Sequence, residues 1–241
     1  MGEAKDDIAR QTAVLAWRYG RLEGEALLRP LIKGDLKGRI ALLCSFGAES
    51  ALLLDMVARI DRATPVIFLD TGKLFDETLR YRDALVEKLA LSDLRTIKPD
   101  PCALERGDPD GTLWQRDADA CCRLRKVEPF ARALSGFAAV ISGRKRYHGG
   151  VRGALPGIEL VEQRIRVNPL AGFSRERIEC EFAERGLPAH PLEAEGFLSI
   201  GCVPCTDRVA AGQDRRAGRW RGLAKTECGI HDRAGDLGSA A

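Results

Sequence analysis

Over the first two thirds of the chain, short apolar runs alternate with amphipathic stretches. Ile8, Ala9, Thr12, Ala13 and Ala16, and then Leu22, Ala26, Leu27 and Leu28, recur near the helical period, which predicts a helical region over about 1–37. Gly34 and Gly38 bracket a turn. Arg39 to Cys44 is a short apolar run of the kind seen in a buried parallel strand, and a helix follows from Ala51. Pro65 to Leu69 predicts a second strand, Phe75 to Leu89 a helix and Leu94 to Ile97 a third strand. The segment from Pro99 to Gly111, rich in proline and glycine, reads as loop. Asp117 to Leu134 predicts a helix broken or restarted near Pro129, Ala138 to Gly143 a fourth strand, and Leu160 to Val167 one half-exposed strand. Ser174 to Arg185 predicts a helix opened by a partial capping box, because Arg177 stands where Glu is usual. Beyond Pro188 little regular pattern remains, and 235–241 reads as a frayed end.

Strand, turn and helix repeated in this way predict an α/β fold, a parallel twisted sheet with flanking helices. No internal repeat or clean linker divides the chain. The expected organisation is a single unit over 1–241, with a helical start (1–37), an α/β core (38–187) and a cysteine-bearing tail (188–241). Ligands of such sheets bind beyond the carboxyl ends of the strands. Two strand-end turns fall there, Ser45-Phe46-Gly47-Ala48-Glu49-Ser50 and Asp70-Thr71-Gly72. The first places small residues and backbone N–H groups at a helix start, which suits an anion, although an ordinary strand-to-helix turn looks the same. It lacks the lysine of a nucleotide-hydrolysing P-loop. The second suits a ribose or base contact, or a plain helix cap.

Composition narrows the class. With 45% hydrophobic and 30% charged residues among 241, the chain has the make-up of an ordinary globular protein. No apolar run approaches the roughly 20 residues that span a membrane, and Met1 to Asp7 is no secretory signal. A cytoplasmic protein is expected. Net charge is only +3, yet basic residues cluster at Arg123, Arg125 and Lys126, at Arg144 to Arg146, and at Arg215, Arg216 and Arg219. Such clusters on a nearly neutral chain favour a small anionic ligand over nucleic acid, or are solvated basic faces. His148 reads as a polar loop residue.

Eight cysteines are too few for a disulfide scaffold, and a reducing compartment argues against bridges. Cys202 and Cys205, in Ser-Ile-Gly-Cys-Val-Pro-Cys-Thr, form a Cys-x-x-Cys turn roughly 80 residues after the adjacent pair Cys121 and Cys122. Spacing and compartment favour a joint metal set, zinc or an iron–sulfur cluster, over a lone redox dithiol beside two buried thiols. Adjacent cysteines diverge along a helix, and a cluster tolerates that better than one tetrahedral ion. Cys228, in Glu-Cys-Gly-Ile-His, has no cysteine partner nearby and has Lys225 and His231 close in sequence, which suits a nucleophile. Cys44, Cys102 and Cys180, in a strand, a loop and a helix, read as structural.

Together Cys121-Cys122, Ser199 to Thr206 and Glu227 to His231 resemble the assimilatory adenylyl-sulfate (adenosine 5′-phosphosulfate) reductases. Phe68 to Gly72 and Val167 to Leu170 are similar too, and the resemblance spans nearly the whole chain. It implies an adenine nucleotide alpha hydrolase-like, PP-loop type of fold and a [4Fe-4S] cluster on Cys121, Cys122, Cys202 and Cys205. It also implies Cys228 as the nucleophile that takes the sulfonyl group, AMP as leaving group, and thioredoxin (or glutaredoxin) as the reductant that releases sulfite from an S-sulfocysteine. That reaction belongs to sulfate assimilation and cysteine biosynthesis, with no nucleic-acid or membrane partner. By the same matching, Lys126 lies between cluster and substrate and Arg152, Arg216 and Arg219 hold phosphate and sulfate oxygens. Ser45 to Ser50 is then the anion turn, Leu69 and Gly143 contact the adenosine, and Asp70, Thr71 and Gly72 lie beside it.

Many relatives carry Arg-Arg-x-Gln-Ser after the glycine, whereas this chain has Gly143-Arg144-Lys145-Arg146-Tyr147-His148; the charge of Arg144 and Arg146 is kept, the Gln and Ser are not. Alternatives are a reductase acting on 3′-phosphoadenylyl sulfate, or a PP-loop iron–sulfur enzyme that sulfurates tRNA. The latter normally carries Ser-Gly-Gly-x-Asp-Ser where Phe46 and Glu49 stand here, and would need magnesium. A nucleic-acid-binding redox sensor would leave Cys228 without a role.

Overall fold

The computed structural model describes residues 2–223, 225 and 227–230. Six strands form one sheet: β1 (Ile40–Leu43), β2 (Val66–Leu69), β3 (Leu94–Ile97), β4 (Ala139–Ile141), β5 (Ile158–Val161) and β6 (Arg164–Val167). Their order is β3-β2-β1-β4-β6-β5, and every pairing is parallel except β5 with β6. The chain steps outward from β1 to β3 and returns on the other side of β1 with β4. The order therefore reverses between β1 and β4, where a ligand crevice opens at the strand ends.

Helices α1 (Gly2–Tyr19), α2 (Gly24–Pro30), α3 (Ser50–Ile60), α4 (Asp76–Leu89), α5 (Pro101–Gly107), α6 (Leu113–Arg116), α7 (Ala118–Cys122), α8 (Glu128–Ala133) and α9 (Arg175–Glu184) flank it. The apolar strands are buried on both faces, as a parallel sheet requires. Ile40, Leu42, Val66, Phe68 and Ile141 face one core with residues of α2, α3, α4 and α9. Ala41, Ile67, Leu69 and Val140 face a smaller one with Phe130 and Leu134. Among the described residues no helix is long and apolar enough to cross a membrane.

The predicted strands and major helices appear within a residue or two of their expected bounds, with four corrections. First, Leu160 to Val167 is not one strand but the end of a hairpin. Glu162 and Gln163 form its two-residue turn, both with positive φ (49° and 65°), and that pair lacks the Asn-Gly signature of such turns. Second, the supposed loop after Pro99 contains α5, whose start is capped by Asp100 accepting from the Ala103 N–H. Cys102 is therefore helical, and both it and Cys180 are exposed thiols rather than core residues. Third, the helix does restart near Pro129, which sits in the first turn of α8 where its missing N–H costs nothing, but the stretch before it is not one continuous α-helix: a wide turn over Arg123–Val127 joins α7 to α8. Fourth, the region after Pro188 has order: a short 3₁₀ turn, Pro191–Glu195, is boxed by His190 and Glu193. The frayed-end expectation falls on residues outside those described.

His190 shows how that turn is held. Leu192 N–H donates to Nδ1 (3.2 Å), which leaves the proton on Nε2, 3.1 Å from Thr78 Oγ1. Burial pushes the His190 pKa down to about 4 from 6.5. The unfolded chain takes up the proton first, so this contribution to stability is complete above pH 6.5 and is lost as pH falls towards 4. We expect denaturation midpoints to drop between pH 7 and 5, and His190→Gln to flatten that dependence. An unchanged slope in the variant would refute the assignment.

Candidate active site

A cavity of about 240 Å³ opens over the ends of β1, β2 and β4. Its lining brings together residues far apart in sequence. Ser45, Gly47, Ala48, Glu49 and Ser50 come from the turn after β1, Leu69 and Thr71 from β2 and the turn that follows it, and Gly143 and Arg144 from the segment after β4. Arg152, Lys126, Arg216 and Arg219 also line it, as does Cys228. The other expected site residues lie elsewhere. Phe46, at φ 49°, turns its side chain into the core, edge-on to Phe68 at 5.3 Å. Asp70 accepts from the Gly72 N–H (3.0 Å) and faces Lys98. Arg146 donates to the Leu155 carbonyl (2.8 Å). Asp70, Gly72 and Arg146 shape their loops outside the lining.

The turn after β1 is anchored through Glu49. Its half-buried carboxylate accepts from Lys145 and Tyr147, with His148 Nε2 at 3.6 Å and Arg215 Nε at 3.8 Å. Burial alone would raise its pKa, but Lys145 and these donors outweigh that and hold it well below the carboxylate range. His148 is thus half-buried in the cavity wall, bonded through Nδ1 to Arg152 (3.0 Å), and not a free loop residue. Gly47 is pressed against Ile200: a Cβ there would meet the Ile200 carbonyl at 3.2 Å.

Cys121 and Cys122 end α7 and are buried; opposite them, Cys202 precedes and Cys205 ends the turn Val203–Cys205. That turn is docked on the segment after β2 by a bridge between Leu74 and Cys202 and by Val203 N–H donating to the Lys73 carbonyl (2.8 Å). Thr71 Oγ1 lies 3.2 Å from Cys202 Sγ. Arg219 packs so closely that a Cβ on Gly201 would fall 2.4 Å from its guanidinium and push that group aside. All eight cysteines are free thiols. Among the described residues no three His, Cys, Asp or Glu side chains close on a single ion. Burial raises the Cys121 pKa, and Cys202 and Cys205 are near enough to add to that, whereas Cys202 is itself lowered despite burial by Lys126, Thr71 and Arg219. Burial pushes Cys122 up to about 12. Four soft donors on two facing segments fit a cysteine-ligated iron–sulfur cluster in kind and number.

Lys126 sits on the wide turn between the thiols and the cavity. Burial opposes its charge, but Cys202, Cys228 and Cys122 outweigh it and raise its pKa. Irregular turns of this kind recur at functional sites. Its neighbour Arg125 is buried and grips Asp108 through Nε (3.0 Å) and Nη2 (2.5 Å), while Nη1 donates to the Thr71 carbonyl (2.8 Å). Asp108 also accepts from the Leu113 N–H (2.8 Å). This brace ties α5 and the Cys121–Cys122 segment to the β2 turn. Asp108→Ala strands a buried guanidinium and is expected to cost about 3–5 kcal/mol by chemical denaturation. The double variant with Arg125→Met should recover much of the loss; if Asp108→Ala is near neutral, the brace is not structural.

The segment carrying Cys228 lies across the cavity. Glu227 is bound by Arg152, Cys228 is half-buried in the lining, and the Ile230 carbonyl accepts from Arg166 Nη2 (3.0 Å). Lys225 reaches Asp119 and lies over Trp220; His231 falls outside the described residues. Asp108 and Glu227 were not legible as site residues. Their partners Arg125 and Arg152 lie 17 and 75 residues away, and no local spacing announces such pairs.

Comparison with known proteins decides the family. The phosphoadenosine phosphosulfate reductase domain matches residues 39–208. The chain belongs to that family. It is 49% identical over 231 residues to the adenosine 5′-phosphosulfate reductase of Mesorhizobium japonicum, covering 96% of this chain and 91% of the relative. It is 38% identical to the phosphoadenosine 5′-phosphosulfate reductase of Gloeobacter violaceus, covering 90% and 92%. The crystal structure of a phosphoadenylyl-sulfate reductase from Candida auris, a phosphate complex, superposes with a TM-score of 0.67 at 25% identity, over 84% of this chain and 96% of that one. The PP-loop-like sheet expected from sequence is thus the family's sheet.

Proposed function

We propose that this chain is an adenylyl-sulfate reductase, an oxidoreductase of sulfate assimilation that converts adenosine 5′-phosphosulfate to sulfite and AMP. The observation that carries the reading is Cys228 in the wall of a strand-end cavity ringed by cations. A phosphosulfate anhydride presents a crowded row of oxyanions, and transfer of its sulfonyl group needs a soft nucleophile and positive charge. The Cys228 thiolate attacks sulfur, and the bond from sulfur to the bridging oxygen breaks. AMP leaves with the electron pair, and an S-sulfocysteine remains. A thiolate of the reductant, thioredoxin (or glutaredoxin), then attacks Cys228 Sγ and expels sulfite, and its second thiol closes the reductant's disulfide. Two electrons thus pass from dithiol to sulfur.

The turn from Ser45 to Ser50 and the start of α3 offer backbone N–H groups to an anion. Leu69 and Gly143 border the adenosine, and Lys126, Arg152, Arg216 and Arg219 face the acidic groups. Cys121, Cys122, Cys202 and Cys205 would hold a [4Fe-4S] cluster. When bound, it supplies fixed charge and a tether between two distant segments. A reducing, cytoplasmic setting suits cysteines that act as nucleophile and cluster ligands rather than as bridges.

The deciding experiment assays anaerobically purified protein with adenylyl sulfate and with its 3′-phosphorylated form, thioredoxin serving as reductant. Sulfite from the former is expected; turnover of the 3′-phosphorylated form alone would overturn the substrate assignment. The same preparation should be brown, with about four iron and four sulfide per chain. A colourless zinc-loaded protein that remains active would remove the cluster.

A further inference from the structure

Among the described residues, seven cationic side chains line the cavity against two carboxylates, Glu49 and Glu227. Glu49 belongs to the cavity wall, whereas Glu227 arrives on the tail and immediately precedes Cys228. Its two oxygens take the fork of Arg152, Nε to Oε1 at 2.6 Å and Nη2 to Oε2 at 2.7 Å, with Arg216 Nη2 3.4 Å from Oε1. The third nitrogen of Arg152 faces His148. Both partners of the fork are nearly buried, 9% and 11% exposed. A guanidinium fork of this shape is also what grips two oxygens of a phosphate or sulfate. One fork cannot serve two anions.

We propose that Glu227 is a positioning residue. It seats the Cys228 segment on Arg152 and Arg216, and it and the ligand's acidic group exclude one another from that seat. The inference rests on reading the cavity as the adenylyl-sulfate site. The geometry permits the exchange without losing the tail. Ile230 stays tethered to Arg166, and Gly229, at φ 83°, sits between the two anchors as a pivot. In either state the two arginines meet an anion, so no bare cation is left buried. Arrival of the ligand frees the residue next to the nucleophile; departure of the nucleotide docks it again.

The test uses the holoenzyme and two variants, Glu227→Gln and Glu227→Asp. Affinity for AMP is measured by calorimetry. Alkylation of Cys228 by iodoacetamide without nucleotide is followed by mass spectrometry of its peptide, because Cys102 and Cys180 are also exposed. Removing the competing charge should tighten AMP binding about tenfold and speed Cys228 alkylation by a similar factor, with the aspartate variant closer to wild type. A defect of folding alone would weaken AMP binding, so the direction separates the two. Unchanged or weaker AMP binding by Glu227→Gln overturns the proposal, as does unchanged alkylation. If AMP binds neither protein, the adenylyl-sulfate reading falls, and the alkylation rates still decide whether Glu227 seats the segment.

Discussion

Cys228→Ser abolishes sulfite release, with a loss of about three orders of magnitude or more in rate. A serine hydroxyl is a hard, fully protonated group at neutral pH. The charged groups that share its cavity are mostly cations, and the two carboxylates there, Glu49 and Glu227, are already engaged by Lys145 and Arg152. Among the described residues, neither of these carboxylates is free to take the hydroxyl proton. The substitution removes one sulfur from a half-buried position and leaves the other thiols in place, so fold, colour and iron content should be unchanged. Wild-type protein given adenylyl sulfate without reductant should gain the mass of one SO₃ group on the Cys228 peptide, and the variant should not. Sulfite production by Cys228→Ser at a normal rate would sink the nucleophile assignment.

The strand-end turns that frame this cavity were readable in the chain because each strand of a parallel sheet is written locally. Arg39 to Cys44 and Pro65 to Leu69 are apolar on both faces, and each runs directly into a turn rich in small or polar residues. The hairpin over Ile158–Val167 was not readable, since its turn is imposed on Glu162 and Gln163 by pairing of the flanking strands rather than by turn chemistry. The same division holds for the site. The cysteines announce themselves as residue types with few bland uses when clustered, and matching them to a family also placed Lys126, Arg216 and Arg219 in the wall. The pairs Arg125–Asp108, Lys145–Glu49 and Arg152–Glu227 are charge complementarities between distant segments. A chain with 38 basic and 35 acidic residues offers too many such combinations for sequence to choose among them.

Lys126→Ala should lower kcat/KM by about 10²- to 10³-fold, the scale seen when one preorganised donor to a developing oxyanion is removed. The side chain stands on the wide turn that begins directly after Cys122, and it lines the cavity that holds Cys228. It feels Cys202, Cys228 and Cys122 at once, and these keep it protonated despite burial. One ammonium therefore faces the thiol that attacks and the cysteines proposed to carry a cluster. In the proposed reaction it would lower the cost of bringing a thiolate up to an anionic substrate. If that is its task, the loss should fall on the rate of sulfonyl transfer, read as formation of the Cys228 adduct in a single turnover, and less on AMP affinity. Lys126→Arg should restore part of the rate, because charge survives while the compact ammonium does not. Iron content measured on the same preparations separates a charge effect from loss of the cluster. A Lys126→Ala protein that retains its iron, binds substrate normally and forms the adduct at the wild-type rate would show that the positive charge at this position is not used in the chemistry.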